Sequence, residues 1–466
     1  MNNERAQSSS LVRGLGLLDA TMIVIGSMIG SGIFIVSAES SRLIGAPGWL
    51  LLAWTVAGLL TITGALCCAE LATMMPRAGG VYVFLREAYG QALGFLFGWT
   101  LFLVVQTGTI AAVAIAFARF LGVFAPSVAG DHYLIAPIVL LPGYAISLST
   151  EQLVAILLIA LLTFSNTRGL RVGKIVQNSF TFTKTAALIG VIVIGLIFGW
   201  KANCAALASH WWDATANGWS AQAAQPGFAI AGGLAVALLF GKAMVGPLFA
   251  QTAWTNVTFI GSEVREPGRN LSRALLYGCG IVVVLYVLAN VAYIASLPLA
   301  EIQNASGCNN GLILAGARVY YAMARDNLFF HKVGTTNRFH VPAVALVVQA
   351  IWTGLLTLPR TVTTNAQTGT LTFGNVYTQL LEYIVSADLI FYVLLVAAVM
   401  VLRKKNPAAE RPYRTWGYPI IPIISIALAA IVIFDLAYLA PSTSGIGILI
   451  VLTGVPVYFL WRRQPA

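Results

Sequence analysis

The sequence predicts an all-α integral membrane protein with about twelve transmembrane helices, the eighth of them short. Three observations carry this expectation. Of 466 residues, 58% are hydrophobic and 9% are charged, against roughly 25% charged in an ordinary soluble domain. So little charge cannot cover a water-facing surface. The apolar residues also come in long uninterrupted runs, as in Leu153–Leu162, Leu188–Trp200 and Ile281–Leu297, and about 20 such residues cross roughly 30 Å of hydrocarbon. Finally, the lysines and arginines gather in alternate connections between runs, which is the positive-inside rule written in sequence.

The first span, Leu17–Leu43, follows a polar tail, residues 1–16, that carries Arg5 and Arg13. The second, Gly48–Leu71, is followed by Arg77 and Arg86, and the third is Leu93–Phe124. The fourth, Glu151–Thr167, leads through Arg168, Arg171 and Lys174 into the fifth, Lys174–Trp200. The sixth, Phe228–Ile260, is followed by Arg265, Arg269 and Arg273, then by the seventh, Ala274–Leu297. The eighth, Ser306–Met323, precedes Arg325, Lys332 and Arg338; the ninth is Pro342–Leu358. The tenth, Val376–Leu402, runs into Arg403, Lys404, Lys405, Arg411 and Arg414. The eleventh and twelfth are Pro419–Ala440 and Gly445–Trp461, ending at Arg462 and Arg463. The opposite side receives only Arg42, Lys201 and Arg360. This asymmetry predicts both termini in the cytoplasm and an even number of crossings. The eighth is short and polar, with Asn309, Asn310 and Arg318, and barely spans the core at 1.5 Å per residue. It is kept because Arg325, Lys332 and Arg338 would otherwise lie outside.

Other classes find no support. The net charge of +11 follows the alternating connections, with no aromatic-rich basic stripe or basic tail for nucleic acid. Met1–Arg13 is polar with no cleavage-like site and reads as a cytoplasmic tail. Cys67, Cys68, Cys279 and Cys308 lie in or beside apolar runs as small hydrophobes, and Cys204 stands alone in an outer loop, so no disulfide framework is implied. His132, His210, His331 and His340 lack metal-ligand spacing. No nucleophile, metal or phosphate-loop constellation points to an enzyme, and no cofactor is implied.

With twelve crossings, spans one to five and six to ten have opposite orientation, as in inverted-repeat secondary transporters. The corresponding places to inspect are the first spans of each half. The first carries GSMIGSGIF, Gly26–Phe34, at mid-depth; the sixth carries Gly241, Gly246-Pro247 and the polar run Gln251–Asn256. A helix broken inside a membrane frees amides and carbonyls that must face protein, water or ligand. Its amide end suits a carboxylate and its carbonyl end an ammonium. Two such breaks facing each other form a zwitterion receptor with no charged side chain. The alternative is that Gly26 and Gly30 are a packing motif, small residues letting helices approach.

GSMIGSGIF resembles the first-helix signature of the amino acid–polyamine–organocation superfamily. CAELATMMPRAGGVYVFLREAYG (Cys68–Gly90), FTKTAALIGVIV (Phe182–Val193), FAQTAWTNVTFIGSEVREPGRN (Phe249–Asn270), GCNNGLILAGARVYYAMARD (Gly307–Asp326) and RPYRTWGYPIIPI (Arg411–Ile423) are similar to the family's further signatures, in family order. The bacterial and light-subunit-like amino acid transporters are the nearest in pattern. The resemblance implies the five-plus-five inverted fold of the leucine-transporter type, with repeats at 17–200 and 228–402 and two further helices in 416–466. It implies that the amides around Gly30, Ser31 and Gly32, beside Ile29, hold a substrate carboxylate. Carbonyls of Met28, Phe249 and Thr252 would hold the amine, with Phe249 as an aromatic gate and Ala253 and Trp254 beside the substrate side chain. Gln106, Thr107 and Gly108 would contribute by position. Lys184 resembles the family lysine that bonds to the broken part of the first helix, where sodium-coupled relatives hold a sodium ion. A snorkelling lysine is the plain alternative.

Three departures from the family pattern stand out. Thr252-Ala253 replaces a pair of small residues, which should shrink the pocket toward small neutral side chains. Lys242 stands where relatives usually carry an apolar residue, and reads as paired or snorkelling. The stretch between the seventh helix and GCNNG is markedly shorter than in relatives. Elsewhere, Glu382 and Asp388 could titrate or attract a cationic substrate, and Glu70, Glu263 and Asp326 are expected to pair with Arg77, Arg269 or Arg13. The function implied is sodium-independent transport or exchange of small neutral L-amino acids by alternating access, in the plasma membrane (the inner membrane of a bacterium). Cationic amino acid or polyamine transport would need an acid in the pocket. A non-transporting sensor or shortened, inactive relative is the reading from another class. The partners implied are the amino acid and the lipid bilayer; nothing indicates an accessory subunit, and a monomer suffices.

Overall fold

The computed structural model describes residues 13–30, 32–141, 143–168, 170–199, 210–225, 230, 233–304, 320–326, 328–337, 341–364, 371–375, 377–439 and 441–462. Residues 1–12, Ser31, Cys204, Cys308 and most of the expected eighth span lie outside them.

The first apolar run folds as two helices, α1 (Leu17–Met28) and α2 (Gly32–Ile44), followed by α3 (Pro47–Met74). A short helix, α4 (Val81–Tyr89), leads into α5, which runs Gln91–Phe124 with a π-helical turn at Leu101–Val105. α6 (Thr150–Thr167) and α7 (Leu170–Ile194) complete the first half. The second half opens with α8 (Gly233–Ala243) and α9 (Val245–Gln251), then α10 (Pro267–Ser296), α11 (Ala343–Leu356) and α12 (Tyr377–Lys405). α13 (Ile420–Leu439) and α14 (Pro441–Arg462) follow. Among the described residues, ten helical segments are long and apolar enough to cross a membrane, and α11 is a shorter apolar helix.

Local chemistry sets several boundaries. Asp19 sits in the first turn of α1, where the helix dipole favours an anion, and its carboxylate accepts from the Gly16 amide at 3.0 Å. Pro47 and Pro267 occupy the first turns of α3 and α10, where a missing amide costs nothing. A reciprocal cap starts α6: Ser149 Oγ accepts from the Gln152 amide at 3.3 Å, and Gln152 Oε1 from the Ser149 amide at 2.7 Å.

α10 packs along α3 and α1, while α7 also lies against α1. α2 lies against α8 and α9, α5 against α6 and α11, and α12 against α3, α13 and α14. The buried core is contiguous through these helices, from Leu15 and Trp54 to Tyr286 and Tyr320. Apolar side chains on α7, the π-helical turn after it (Gly195–Gly199), α13 and α14 are exposed, as in Phe182, Phe198, Ile431, Phe434 and Leu460, as expected of surfaces facing lipid.

The all-α expectation needs correction. Four antiparallel strands form one sheet in the order β1 (Tyr133–Leu141), β2 (Tyr144–Ser149), β3 (Pro359–Thr364), β4 (Leu371–Asn375). It joins the connection before α6 to the one after α11. Arg360 is buried within it, donating from Nε to Ser147 Oγ at 3.0 Å and from Nη2 to the Gly130 carbonyl at 2.7 Å. The run YLIAPIVLL in β1 is apolar at almost every position, so it shows none of the alternation that marks a half-buried strand.

At the other end of the bundle, Gly14 donates to the Glu263 carbonyl at 3.0 Å and Arg265 to the Leu15 carbonyl at 2.8 Å. Gly79 donates to the Phe259 carbonyl at 3.1 Å. Gly80 has φ +42, and the backbone of Thr258 lies where a Cβ would stand, so only glycine fits.

Candidate functional site

The site is built from two interrupted helices. α1 stops at Met28, Ile29 turns extended (φ −70, ψ 99), and the helix restarts at Gly32. In the second half, α9 stops at Gln251; Thr252 is extended, Ala253 has φ +64, and a short helix follows at Asn256–Phe259. A non-glycine residue at positive φ costs about 1–2 kcal/mol and is characteristic of functional turns. The two interruptions meet. A Cβ on Gly32 would stand 2.6 Å from Ala250 Cβ and 2.9 Å from Ala250 Cα, so the start of α2 lies directly on the last turn of α9. An amide-bearing helix end thus faces a carbonyl-bearing one.

The freed carbonyls have partners. Lys184 Nζ, on α7, donates to the Gly26 carbonyl at 2.6 Å, placing a cation at the negative end of α1. Tyr286 Oη, on α10, donates to the Met28 carbonyl at 2.7 Å. The Phe249 carbonyl accepts from the Thr252 amide at 3.2 Å and from Thr252 Oγ1 at 2.8 Å. The two readings of the glycine motif separate by position. Gly26 is a packing residue, because Thr181 and Gln177 of α7 occupy the space of a Cβ. Gly30, half-buried at the interruption, lines a groove with Ile29, Lys184 and aromatic residues of α2, α5 and α7.

A separate, small cavity is lined by the second interruption, Gln251–Thr255, with Thr61 of α3 and with Asp388 and Tyr392 of α12. Thr252, Ala253 and Trp254 are therefore brought together there, while Phe249 is buried beside them. Gln106, Thr107 and Gly108 are buried in α5 and line neither space. Thr107 Oγ1 instead donates to the Phe102 carbonyl at 2.7 Å, five residues back across the π turn. Ser31 lies outside the described residues, and Glu382 is placed only as a residue of α12.

The expected pairing is corrected for two of the three acids, Glu70 and Asp326. Glu70 binds Arg403, with Nε and Nη2 at 2.9 and 2.7 Å, and accepts from the Thr415 amide at 2.7 Å. Arg411 Nε lies 3.2 Å from it as an ion pair without hydrogen-bond geometry. Asp326 binds Arg86 and the Tyr82 hydroxyl, the latter at 2.6 Å. The physical reason at Glu70 is that α12 and its following connection pack on α3, bringing Arg403 and Arg411 to it. Lys242 donates to Gln225 Oε1 at 3.1 Å, a structural pairing. Tyr286, Thr61 and Tyr392 were not read as site residues. The available signal was a hydroxyl in mid-span, which needs a partner away from water.

Comparison with known proteins completes the description. The sequence profile of the family described as amino acid permease matches residues 15–311 and 305–458. The two matched pieces meet where the stretch after the seventh span is short. The chain is 28% identical over 486 residues to large neutral amino acids transporter small subunit 2 of Homo sapiens, covering 98% of this chain and 82% of that protein. It is 28% identical over 492 residues to the serine/threonine exchanger SteT of Bacillus subtilis, covering 99% of both. It is 25% identical over 494 residues to Asc-type amino acid transporter 1 of Mus musculus, covering 98% of this chain and 83% of that protein.

Proposed function

The chain belongs to the amino acid permease family, within the amino acid–polyamine–organocation superfamily, and we propose that it exchanges small neutral L-amino acids by alternating access. It is a multi-pass membrane transporter and not an enzyme. The observation that carries the proposal is the meeting of the interruptions at Gly32 and Ala250. It sets the amide end of α2 against the carbonyl end of α9, the arrangement a zwitterion needs. The substrate carboxylate would take the amides around Gly30, Ser31 and Gly32. Its ammonium would compete for the carbonyls of Met28 and Phe249, releasing Tyr286 and Thr252 Oγ1 respectively, and would take the Thr252 carbonyl. Exchange and a small side chain are supported by the printed name of the serine/threonine exchanger relative and by the β-branched Thr252 beside the pocket.

Sodium independence rests on Lys184: its ammonium already supplies positive charge at the carbonyl end of α1. The two inverted halves, both termini in the cytoplasm, the plasma-membrane location and a working monomer belong to the same proposal. One observation favours a second reading, transport of cationic amino acids, namely Asp388 in the cavity with Thr252 and Ala253.

The test is counterflow of radiolabelled alanine, serine and arginine into proteoliposomes preloaded with unlabelled amino acids, with sodium or choline outside. Alanine and serine should enter only against an internal load and equally in either salt. Preferred uptake of arginine would favour the cationic reading. No uptake across a full amino-acid panel by folded protein would leave a sensor or inactive relative.

A further inference from the structure

Asp388 lies in the middle of α12, which runs Tyr377–Lys405, and lines the cavity at the second interruption. The side chains around that cavity come from five elements: Leu60 and Thr61 of α3, Val81 of α4, Phe97 of α5, Leu248 and the 251–255 segment from α9 onward, and α12 itself. Asp388 and Tyr392 are the titratable groups among these lining residues, and no lysine, arginine or histidine is present. Tyr392 donates its hydroxyl to the Leu60 carbonyl at 2.6 Å, so its proton is directed away from the carboxylate. The Asp388 carboxyl makes no hydrogen bond or ion pair with another described residue. Beyond the lining, the ion pairs of described residues on elements packed against α12 are closed on themselves: Glu70 with Arg403 and Arg411, Arg86 with Asp326 and Glu87, and Arg119 with Glu151. Asp435 of α13 adjoins Gly241 of α8 instead.

A carboxylate in this position has two ways to lose its desolvation cost. It can recruit a cation or take up a proton. A metal cation such as sodium needs about six oxygen ligands, and this wall is mostly apolar, with Leu60, Val81, Phe97, Leu248, Leu389 and Leu395 among its members. The neutral substrates of the proposed function bring no extra positive charge. We propose that Asp388 is a proton-binding site on the substrate path, ionised while the cavity is open to water and protonated when the cavity closes around substrate. Closure then transfers one proton from the adjoining solution to the Asp388 carboxylate, and reopening returns one to the solution it faces. The consequence is that acid on the side to which the cavity opens favours closure. This inference rests on the exchange reading.

The test compares alanine exchange in proteoliposomes, at matched internal and external pH, for wild type, D388N and D388E. Read over a pH series, wild-type exchange is expected to change by about tenfold. D388N should lose that dependence and D388E should keep it, displaced in pH. A flat wild-type profile, or a wild-type profile kept by D388N, overturns the proton site while leaving exchange standing. So does a D388N protein that changes substrate ranking but not pH profile, since the acid would then bind the side chain. A sodium requirement abolished by D388N would likewise overturn it. Where exchange is absent altogether, the exchange reading fails, and infrared difference spectra decide the site. Saturating alanine should raise a protonated-carboxyl band in wild type that moves in D388E, and no such band overturns the proposal.

Discussion

At the scale of single residues, Lys184 is the charge whose position most constrains the mechanism. A charged side chain within a span costs roughly 2.5–3.5 kcal/mol on insertion scales, and here the cost is met by the bond to the Gly26 carbonyl at 2.6 Å. Charge-assisted hydrogen bonds are worth about 1.5–3 kcal/mol. Lys184→Ala should therefore slow exchange by about tenfold or more, with folding retained in size-exclusion profile. Unchanged exchange in liposomes would return Lys184 to a snorkelling role. The presence of this lysine in a span was legible in sequence, and its role came from a resemblance. Its bonding partner was not derivable from hydropathy, because the partner is a main-chain atom 158 residues away.

At the scale of elements, the broken helices depend on one close approach. Gly32→Ala would place a methyl 2.6 Å from Ala250 Cβ, and such overpacking costs typically about 1–3 kcal/mol. The single variant should bind alanine more weakly and melt lower, measured by calorimetry and by thermal denaturation in detergent. Adding Ala250→Gly should recover part of both losses; no recovery would show that the two half-helices do not need this contact. The positions of the interruptions were legible because glycine and proline weaken a helix locally. Their contact was not, since either could have faced another neighbour. The sheet was missed for a related reason. Its strands pair across the chain, Ala145 opposite Arg360, and the uniformly apolar β1 carries no period to read. Arg360 then bonds the Ser147 and Ser149 hydroxyls of β2 and the Gly130 carbonyl before β1, so the same residue that reads as an outer basic charge is a buried tie.

At the scale of the whole molecule, the Glu70 network closes one end of the bundle. Glu70 is 1% exposed and Arg411 6%, while Arg403 also stacks on the Tyr418 ring at 3.8 Å. Removing one member of a buried ion pair costs about 3–5 kcal/mol because it strands the other charge; partial exposure of Arg403 puts Glu70→Gln toward the lower end. The expected result is a clearly reduced melting temperature in detergent. An unchanged one would mean that α3, α12 and the connection to α13 are held by packing alone.

The membrane class, most of the spans, the places where two helices break and the family pattern were all readable from the amino-acid sequence. Each of these is a local property: the hydropathy of a run, a glycine or proline at a mid-span position, an ordered set of short motifs. Tertiary structure alone decided that Gly32 meets Ala250, that Glu70 takes Arg403 rather than Arg77, and that Asp388 shares a cavity with Thr252. In membrane helices apolar residues surround the whole circumference, so periodicity does not say which face turns inward. Partners are then chosen by close packing and by the need of each polar group for a bond away from water, and both depend on neighbours distant in the chain.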